Sequence, residues 1–437
     1  DPYYLPAIIS NLKNIKIVQK TRSVLGLYNH TEVINALNEE LVNGKEDFHL
    51  KLGVVKTLGT FPYVESFVIL RSQLNKNNLE LSIACSDGLL KIAKTSEVEN
   101  QIQEPLTEEI KIFAKQYFTI HCFMTLLIDL DKSGLIIDQI ITEQKKLVHI
   151  ILKLVSIQIP ESPIDSHIKH IIDQSDKDLP FILEFFDTSF SKEIRDVLMP
   201  IIDPEIGFKQ KNIDHENNKN SPESHLKNWA ESKNQWKSAI SIDYIINHNK
   251  SFIEEIKWDN VAPSQYLAEI FDDYKEEETI IPINKFKKRS EQNMFTILEK
   301  TILLKTVDLF QDIPGDLLSQ ISQISKAKNY ENGEIIFKEG DAGDSMFIVI
   351  DGEISIKKGD KLLAKLERGA SLGEMALLDH ETRSADAMAE KDSVLLKINQ
   401  DVFYELMESN ADIMKQIIKL LTSRIREANT KLEQSLK

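Results

Sequence analysis

Hydrophobic residues in the first 300 positions of the chain recur every three or four residues, in short pieces separated by polar residues. This spacing places the hydrophobic side chains on one face of an α-helix, so it predicts a series of amphipathic helices. Further helical pieces continue over residues 108–202, where the segment from Lys177 would form a helix pair, and follow at 229–246, 264–274 and 293–310. The pieces nearest the start cover residues 5–12, 18–27, 33–41, 50–58 and 67–74.

A weak internal repeat runs through this helical part. The segment LGLYNHTEVINALNEEL from Leu25 is echoed by LGTFPYVESFVILRSQL from Leu58, a period of 33 residues, and a weaker copy starts near Asn78. Helix pairs at such a period are typical of stacked α-solenoids and resemble HEAT-type repeats. An irregular helical bundle explains the same pattern equally well, so both architectures stay open for the first 205 residues.

The pattern changes sharply after residue 330. Short hydrophobic runs (EIIF, MFIVI, EISI and LLAKL) alternate with glycines, which supply the positive backbone φ angles of tight turns. This rhythm predicts a small all-β unit, closed by a strand at 393–398 and followed by helices at 400–407 and from Ala411 onward. Seven of the 15 glycines fall in this short region: Gly333, Gly340, Gly343, Gly352, Gly359, Gly369 and Gly373.

Two polar stretches, 209–224 and 275–292, lack any hydrophobic period and are typical of linkers. The predicted fold class is therefore α+β with several domains. We expect a helical domain at 1–205, polar linkers with short helices at 206–292, and a β-roll domain with flanking helices at 293–437.

Charge and composition limit the partners and the cellular location that we expect for the protein. The chain has 437 residues, 69 acidic against 53 basic side chains and a formal charge of −16, which disfavours nucleic acids and anionic membranes as partners. The two cysteines, Cys85 and Cys122, exclude a disulfide framework and are expected in helical cores of a cytoplasmic protein. No hydrophobic run is long enough to span a bilayer. The sequence does not start with methionine, so a membrane part could lie upstream of Asp1. This chain would then lie at the cytosolic face of the membrane.

One long motif carries the functional information. The segment GEIIFKEGDAGDSMFIVIDGEI from Gly333 resembles, without a gap, the first half of the cyclic-nucleotide-binding family. The segment GASLGEMALLDHETRSADAMA from Gly369 resembles the phosphate-binding cassette of the same family. The resemblance implies a β-roll fold and cAMP or cGMP as the ligand.

The residue types of the cassette suit a cyclic phosphate. A helix N-terminus beginning near Glu374 offers free N–H groups to an anion, and Gly373 allows close approach of the backbone. Arg383 can form charge-assisted hydrogen bonds with the phosphate, whereas the resemblance assigns Glu374 to the ribose hydroxyl. The predicted ligand-binding residues are Gly373, Glu374, Met375, Ala376, Arg383, Ser384 and Ala385.

The cassette departs from the common pattern at two positions. Thr382 stands where many relatives have proline, and the sequence Arg383-Ser384-Ala385 resembles bacterial catabolite activators more than most eukaryotic relatives. A serine hydroxyl there could bind a phosphate oxygen or a guanine amino group. The motif therefore leaves cAMP and cGMP both open and favours cAMP.

Motifs of other functional classes are absent from the sequence. It contains no nucleophile elbow, Walker A or zinc-protease motif, and no helix-turn-helix follows the last predicted helix. A metal site at His167, His170 and Asp173 is less favoured than exposed polar residues. We therefore expect no catalytic residue, no metal and no cofactor, although an enzyme built from distant residues stays a third, weaker hypothesis.

These observations favour a regulatory protein that senses a cyclic nucleotide and whose helical region docks a partner protein. The order of helical repeats before the β-roll, with the phrases FTILEKTILLKTVDLF and LEFFDTSF, resembles the cytosolic tail of bacterial transporters similar to ATP/ADP translocases. The alternative is a ligand-free scaffold for protein contacts. The last helix either packs on its own domain or forms a homodimer through the stripe of Met414, Ile417, Leu421, Ile425, Ala428 and Leu432.

Overall fold

The computed structural model confirms the α+β fold class, with a mostly helical N-terminal part and a β-sheet domain near the C-terminus. It describes residues 2–14, 16–43, 47–75, 77–95, 98, 105–128, 131, 134–159, 164, 168, 171–172, 179–203, 222–273, 295–307, 310–311, 313–373, 382–409, 413–415, 417–418 and 422. The predicted linker at 275–292, residues 209–221 of the predicted linker at 209–224, and the candidate metal site at His167, His170 and Asp173 lie outside these residues. Residues 222–224 of that linker are wrong as a prediction, because they form the first turn of a helix that begins at Pro222.

The chain forms two compact units. The first comprises residues 1–126 and 140–219, and the second comprises 127–139 and 220–437. The short helices between residues 222 and 273, which the sequence places among linkers, pack within the second unit. The boundaries at 205 and 292 themselves stay a prediction.

The helices of the first unit follow the predicted pieces closely. Short 3₁₀ turns lie at Pro2–Tyr4 and Ser10–Lys13. The helices are α1 (Leu5–Ile9), α2 (Val18–Leu25), α3 (His30–Asn43), α4 (Phe48–Leu58), α5 (Val64–Ser72), α6 (Leu79–Ala93), α7 (Thr107–Leu127), α8 (Leu135–Gln158), α9 (Leu179–Ser189) and α10 (Lys192–Ile202). The last residue of α7, Leu127, and the first five residues of α8, 135–139, belong to the second unit. Side-chain caps begin α4 and α6, where Asp47 accepts a hydrogen bond from the Leu50 N–H and Asn78 from the Leu81 N–H, both at 3.1 Å.

The period of 33 residues corresponds to equivalent turns. Gly26 ends α2 and Gly59 ends α4 in the same backbone conformation. The rings of His30 and Tyr63, which are also 33 positions apart, stack with their centroids 4.1 Å apart. These contacts fit both a solenoid and a bundle, so the HEAT-like interpretation stays a prediction.

The cysteines differ from each other in burial. Cys85 is fully buried in α6, and burial raises the pKa of its thiol to about 12. Cys122 on α7 is partly exposed, so the expectation that both lie in helical cores is correct for Cys85 alone.

The second unit begins with helices that precede its β-sheets. A capping box starts α14, because the Thr296 side chain accepts from the Glu299 N–H while the Glu299 carboxylate accepts from the Thr296 N–H. The helix predicted at 293–310 therefore begins after Thr296 and ends at Lys305. A 3₁₀ turn covers Lys250–Glu255. The helices are α11 (Pro222–Ala230), α12 (Gln235–His248), α13 (Gln265–Asp273), α14 (Ile297–Lys305), α15 (Gly315–Ile324) and, after the sheets, α16 (Gln400–Ser409).

Asp243 on α12 gives this unit a pH-dependent stability. Burial raises the pKa of its carboxyl group to about 6, aided by the charges of Asp131 and Glu299 and opposed by His248 and Asn247. The ordinary pKa is 3.8, so ionisation costs the folded state more than the unfolded state, and stability falls as the pH rises from about 4 to about 6. We expect Asp243→Asn to raise the melting temperature at about pH 7.5 and to leave it unchanged near pH 4. An equal difference at both pH values would contradict this.

The β-roll consists of two four-stranded antiparallel sheets. Their strand orders are β1-β8-β3-β6 and β2-β7-β4-β5. The four predicted hydrophobic runs form β2 to β5, and the predicted closing strand forms β8, which confirms the glycine-punctuated pattern. The strands are β1 (Lys326–Tyr330), β2 (Ile335–Phe337), β3 (Ser345–Asp351), β4 (Ile354–Lys358), β5 (Lys361–Leu366), β6 (Ser371–Leu372), β7 (Asp386–Ala389) and β8 (Ser393–Asn399).

Both faces of the sheet that contains β3 and β8 are buried. Phe347 and Leu395 point into the roll, where they pack with residues of the second sheet such as Ile354. Met346 and Leu396 point the other way, into a core that they share with α14, α15 and α16. Successive residues of a strand face opposite sides, so each of these strands joins the interior of the roll to the helices.

The described part of the last helix divides its hydrophobic residues between two faces. Ile413 and Ile417 are buried in the helical core, whereas Met414 is 42% exposed and Ile418 is 57% exposed. The predicted single stripe that contains both Met414 and Ile417 is therefore wrong at this point. Positions 421, 425, 428 and 432 lie outside the described residues. In the described part of the chain, no helix is long and apolar enough to cross a bilayer.

Candidate functional site

The backbone of Arg383 is fixed by the turn between β2 and β3. The Gly340 N–H donates to the Arg383 carbonyl oxygen at 2.8 Å, and the Arg383 N–H donates to the Asp341 carbonyl oxygen at 2.9 Å. An isolated bridge joins Ala342 to Thr382 beside these bonds. The Asp341 carboxylate accepts from the Lys338 N–H at 2.8 Å and closes the turn. The Gly-Asp pair of the motif therefore positions the arginine of the cassette.

The Arg383 side chain is buried inside the roll, with only 6% of the residue exposed. Its Nη2 donates to the Ser345 carbonyl oxygen at 2.6 Å and to the Ser345 hydroxyl at 3.3 Å. The guanidinium carbon lies 4.2 Å from the centre of the Phe337 ring, a cation–π contact. The Asp344 carboxylate is 4.0 Å from Nη2. These contacts hold Nη2 and one face of the guanidinium.

Two of the three guanidinium nitrogens have no acceptor among the described residues. Nε and Nη1 of Arg383 are buried and form no hydrogen bond with the described residues. Burial lowers the pKa of Arg383, and the carboxylates of Asp344 and Asp341 partly oppose this effect, but an arginine in protein stays protonated. A buried cation with unsatisfied N–H groups is costly, so the arrangement favours an anion as the acceptor.

Gly373 lies directly against Nη1 of Arg383. It follows β6 with a φ of +72°, and a Cβ atom placed on it would be 2.3 Å from Nη1 of Arg383. It would also be 3.2 Å from the Ser345 carbonyl oxygen. The structure thus brings together Gly373 and Arg383, two of the predicted ligand-binding residues, around unsatisfied N–H groups.

The remaining predicted residues are placed as follows. Ser384 is exposed beside Arg383, and Ala385 is buried at 6% exposure. Glu374, Met375 and Ala376 lie outside the described residues, so their predicted roles at the ribose and the helix N-terminus stay predictions.

Sequence reasoning missed the residues that hold the arginine. Phe337, Asp344 and Ser345 all contact Arg383, and Ser345 is separated from it by 38 positions. Each lies within the quoted family motif, but the motif does not indicate which of its positions face the arginine. That information comes from the pairing of the strands.

Residues 327–410 match the sequence model of the cyclic nucleotide-binding domain, which covers the β-roll, Arg383 and α16. The chain therefore contains a cyclic nucleotide-binding domain in its C-terminal part.

Two curated relatives illustrate the similarity. The chain is 27% identical over 121 residues to cGMP-dependent protein kinase 2 of Homo sapiens, a match covering 26% of this chain and 16% of the kinase. It is 28% identical over 135 residues to the Cyclic AMP receptor protein of Thermus thermophilus, covering 30% of this chain and 62% of that protein. The chain thus spans less than two thirds of either relative. Among solved structures, the N-terminal domain of a transcriptional regulator from Streptomyces coelicolor A3(2) is 20% identical, with a TM-score of 0.29, covering 30% of this chain and 94% of that one.

Proposed function

We propose that this protein is a cyclic-nucleotide sensor that binds its ligand in the β-roll. The observation that carries the proposal is the buried guanidinium of Arg383, whose Nε and Nη1 have no acceptor among the described residues, while Gly373 leaves room beside Nη1 for an approaching group. An exocyclic phosphate oxygen that accepts from Nη1 or from Nε would form a charge-assisted hydrogen bond with the guanidinium.

The rest of the ligand would contact the cassette. Ser384 and the Ala385 N–H would complete the phosphate cage, while Glu374 would accept from the ribose 2′-hydroxyl and Met375 and Ala376 would line the helix N-terminus. The Arg-Ser-Ala sequence favours cAMP. Relatives named for cGMP and for cyclic AMP both match this domain, so the two nucleotides are compared directly in the test below.

The output would be regulatory and not catalytic. In this proposal the helical first unit docks a partner protein on the cytoplasmic side, as HEAT-like repeats do, and the whole chain serves as the regulatory tail of a membrane transporter. A homodimer through the last helix would be compatible with the exposed Met414 and Ile418.

The test is a calorimetric titration of the full chain with cAMP, cGMP and 5′-AMP. We expect saturable binding of a cyclic nucleotide at micromolar concentration. We expect Arg383→Ala to weaken it about 100-fold, because the loss of charge-assisted hydrogen bonds costs about 3 kcal/mol. Arg368→Ala is the matched control, since Arg368 is an exposed arginine in a turn of the same domain. It should bind as the unchanged protein does.

Absence of heat with either cyclic nucleotide, in folded protein free of bound nucleotide, would refute the sensor and favour the ligand-free scaffold. Equal losses in Arg383→Ala and Arg368→Ala would refute the assignment of the phosphate to Arg383.

A further inference from the structure

Helices α14 and α15, which we call the helix pair, lead into the β-roll, and both begin at a carboxylate from elsewhere in the second unit. The Ile297 N–H at the start of α14 donates to Oε2 of Glu269 on α13 at 2.6 Å. The Gly315 N–H at the start of α15 donates to Oδ2 of Asp138 at 2.7 Å. Lys305, at the end of α14, donates to Oδ1 of the same Asp138 at 2.5 Å. Distant residues thus clamp the pair at both helix starts.

Aromatic side chains add to this clamp on α15. The Tyr266 hydroxyl of α13 lies 2.9 Å from the Ser319 hydroxyl and accepts from the Gln323 amide at 2.8 Å. Trp236 of α12 is buried against Gly315, where an added Cβ would be 3.0 Å from its ring. The rings of Trp236 and Tyr266 form an edge-to-face contact with centroids 5.8 Å apart. We call Asp138, Trp236, Tyr266 and Glu269 the reader residues.

The opposite side of the helix pair packs on β3, the strand whose first residue accepts a hydrogen bond from Arg383. Ser345 accepts from the Arg383 guanidinium through its carbonyl oxygen, and the next residue, Met346, is fully buried in the core that contains Leu318 and Ile321 of α15. A change in the guanidinium contact therefore reaches α15 across two adjacent residues of β3.

A second connection runs through α16. The Asp344 carbonyl oxygen accepts from the N–H of Gln400, the first residue of α16, at 2.8 Å. Phe403 of α16 is fully buried in the same core as Leu318. The segment beside Arg383 is thus linked to the helix pair by a hydrogen bond and by packing.

We propose that the helix pair transmits nucleotide occupancy at Arg383 to the reader residues, so that helices α12 and α13 with Asp138 form the first output of the sensor. This inference rests on the proposed function. An anion that binds the Arg383 guanidinium alters its hydrogen bond with Ser345. Packed helices respond to such a change by moving between discrete arrangements. When the N-terminus of α14 moves, the buried Glu269 carboxylate must move with it or lose its hydrogen bond. The reader residues are therefore sensitive to a movement of the helix pair.

The chain carries its own reporter for this movement. All three tryptophans, Trp229, Trp236 and Trp258, lie on or beside α11 to α13, and none lies in the β-roll. A full-length Trp229→Phe/Trp258→Phe variant leaves Trp236 as the single emitter at the Gly315 contact. We expect its emission to change saturably with cAMP or cGMP, at the midpoint that calorimetry gives for the same sample. The change should disappear in Arg383→Ala.

The effect of the reader residues on nucleotide affinity tests their contacts with the helix pair. Coupling between two sites is reciprocal, so Asp138→Asn and Glu269→Gln should shift nucleotide affinity by about fivefold or more and reduce the Trp236 response. The matched control is Asp187→Asn, which removes a surface carboxylate paired with Arg195 at 3.3 Å in the first unit. It should alter neither quantity. Circular dichroism of each variant checks that it is folded.

The outcomes separate the two proposals. Calorimetric binding with constant Trp236 emission would overturn the transmission through the helix pair and leave the sensor intact, and this arm depends on no reader variant. Unchanged affinity in both reader variants would likewise overturn it. Absence of binding heat in the unchanged protein would refute the sensor itself, and the transmission with it.

Discussion

Gly373→Ala should abolish high-affinity cyclic-nucleotide binding while leaving the protein folded. The added Cβ would lie 2.3 Å from Nη1 of Arg383, far inside van der Waals contact. Because Nη1 is the end of a flexible side chain, the guanidinium can move aside, and the fold survives at the cost of the positive φ of +72°. The displaced guanidinium no longer presents Nε and Nη1 to a phosphate. We expect binding by calorimetry to weaken about 100-fold, equivalent to about 3 kcal/mol.

A second glycine distinguishes the effect of this steric clash from the effect of backbone strain at a positive φ. Gly359 in the β4–β5 turn also has a positive φ, +56°, but an added Cβ there meets nothing within 4 Å. Gly359→Ala should therefore bind cyclic nucleotide as the unchanged protein does. Gly373→Ala combined with Arg383→Ala should bind no more weakly than Arg383→Ala alone, since both changes remove the same interaction. Full affinity in Gly373→Ala would show that the phosphate does not use Arg383 in its observed position.

The β-roll was predictable from sequence because its signals are local. Glycines at turns such as Gly340 and Gly352 divide the chain into short hydrophobic runs, and strand length follows directly from that division. The motif also identified Arg383 and Gly373 as ligand-binding residues, and the structure places them together. The residue types were informative here because turns with a positive φ favour glycine and an anion favours arginine.

The contacts of the site were not predictable, because they depend on which strands pair. Ser345 and Phe337 reach Arg383 only after the turn at Gly340 folds back on the cassette. The clamp on the helix pair is still less local, since Glu269 lies 28 positions from Ile297 and Asp138 lies 177 positions from Gly315. Helical periodicity shows which face of a helix is buried, and it carries no information about its partner.

The helical first unit shows the same limit. The 3.6-residue period predicted its early helices, but their packing depends on close approaches such as that of Gly59 to Gly88, where an added Cβ on Gly59 would be 2.8 Å from the Gly88 Cα. Small residues at such crossings are ordinary in sequence and become meaningful once the helices are placed side by side.

Gly352→Ala should destabilise the β-roll more than any other single alanine substitution at its turn glycines. The residue has a φ of +100°, and an added Cβ would lie 2.1 Å from Oγ and 2.7 Å from Cα of Ser393, the first residue of β8. A Cα atom of a central strand cannot move aside as a side chain can. Backbone strain and overpacking each cost about 1 to 3 kcal/mol, so we expect a loss of about 3 kcal/mol or more.

Hydrogen exchange measures this loss locally, which matters because a protein with two compact units does not unfold in one step. Amide protection in β3 and β8 should fall about 100-fold in Gly352→Ala, and protection in α4 and α6 should stay unchanged. Gly333→Ala is the control, because its φ of +84° carries the backbone strain while the added Cβ meets nothing within 4 Å. Its effect on β8 should be clearly smaller. Equal protection in the two variants would mean that Ser393 yields to the methyl group, and that the turn between β3 and β4 requires glycine for its backbone conformation alone.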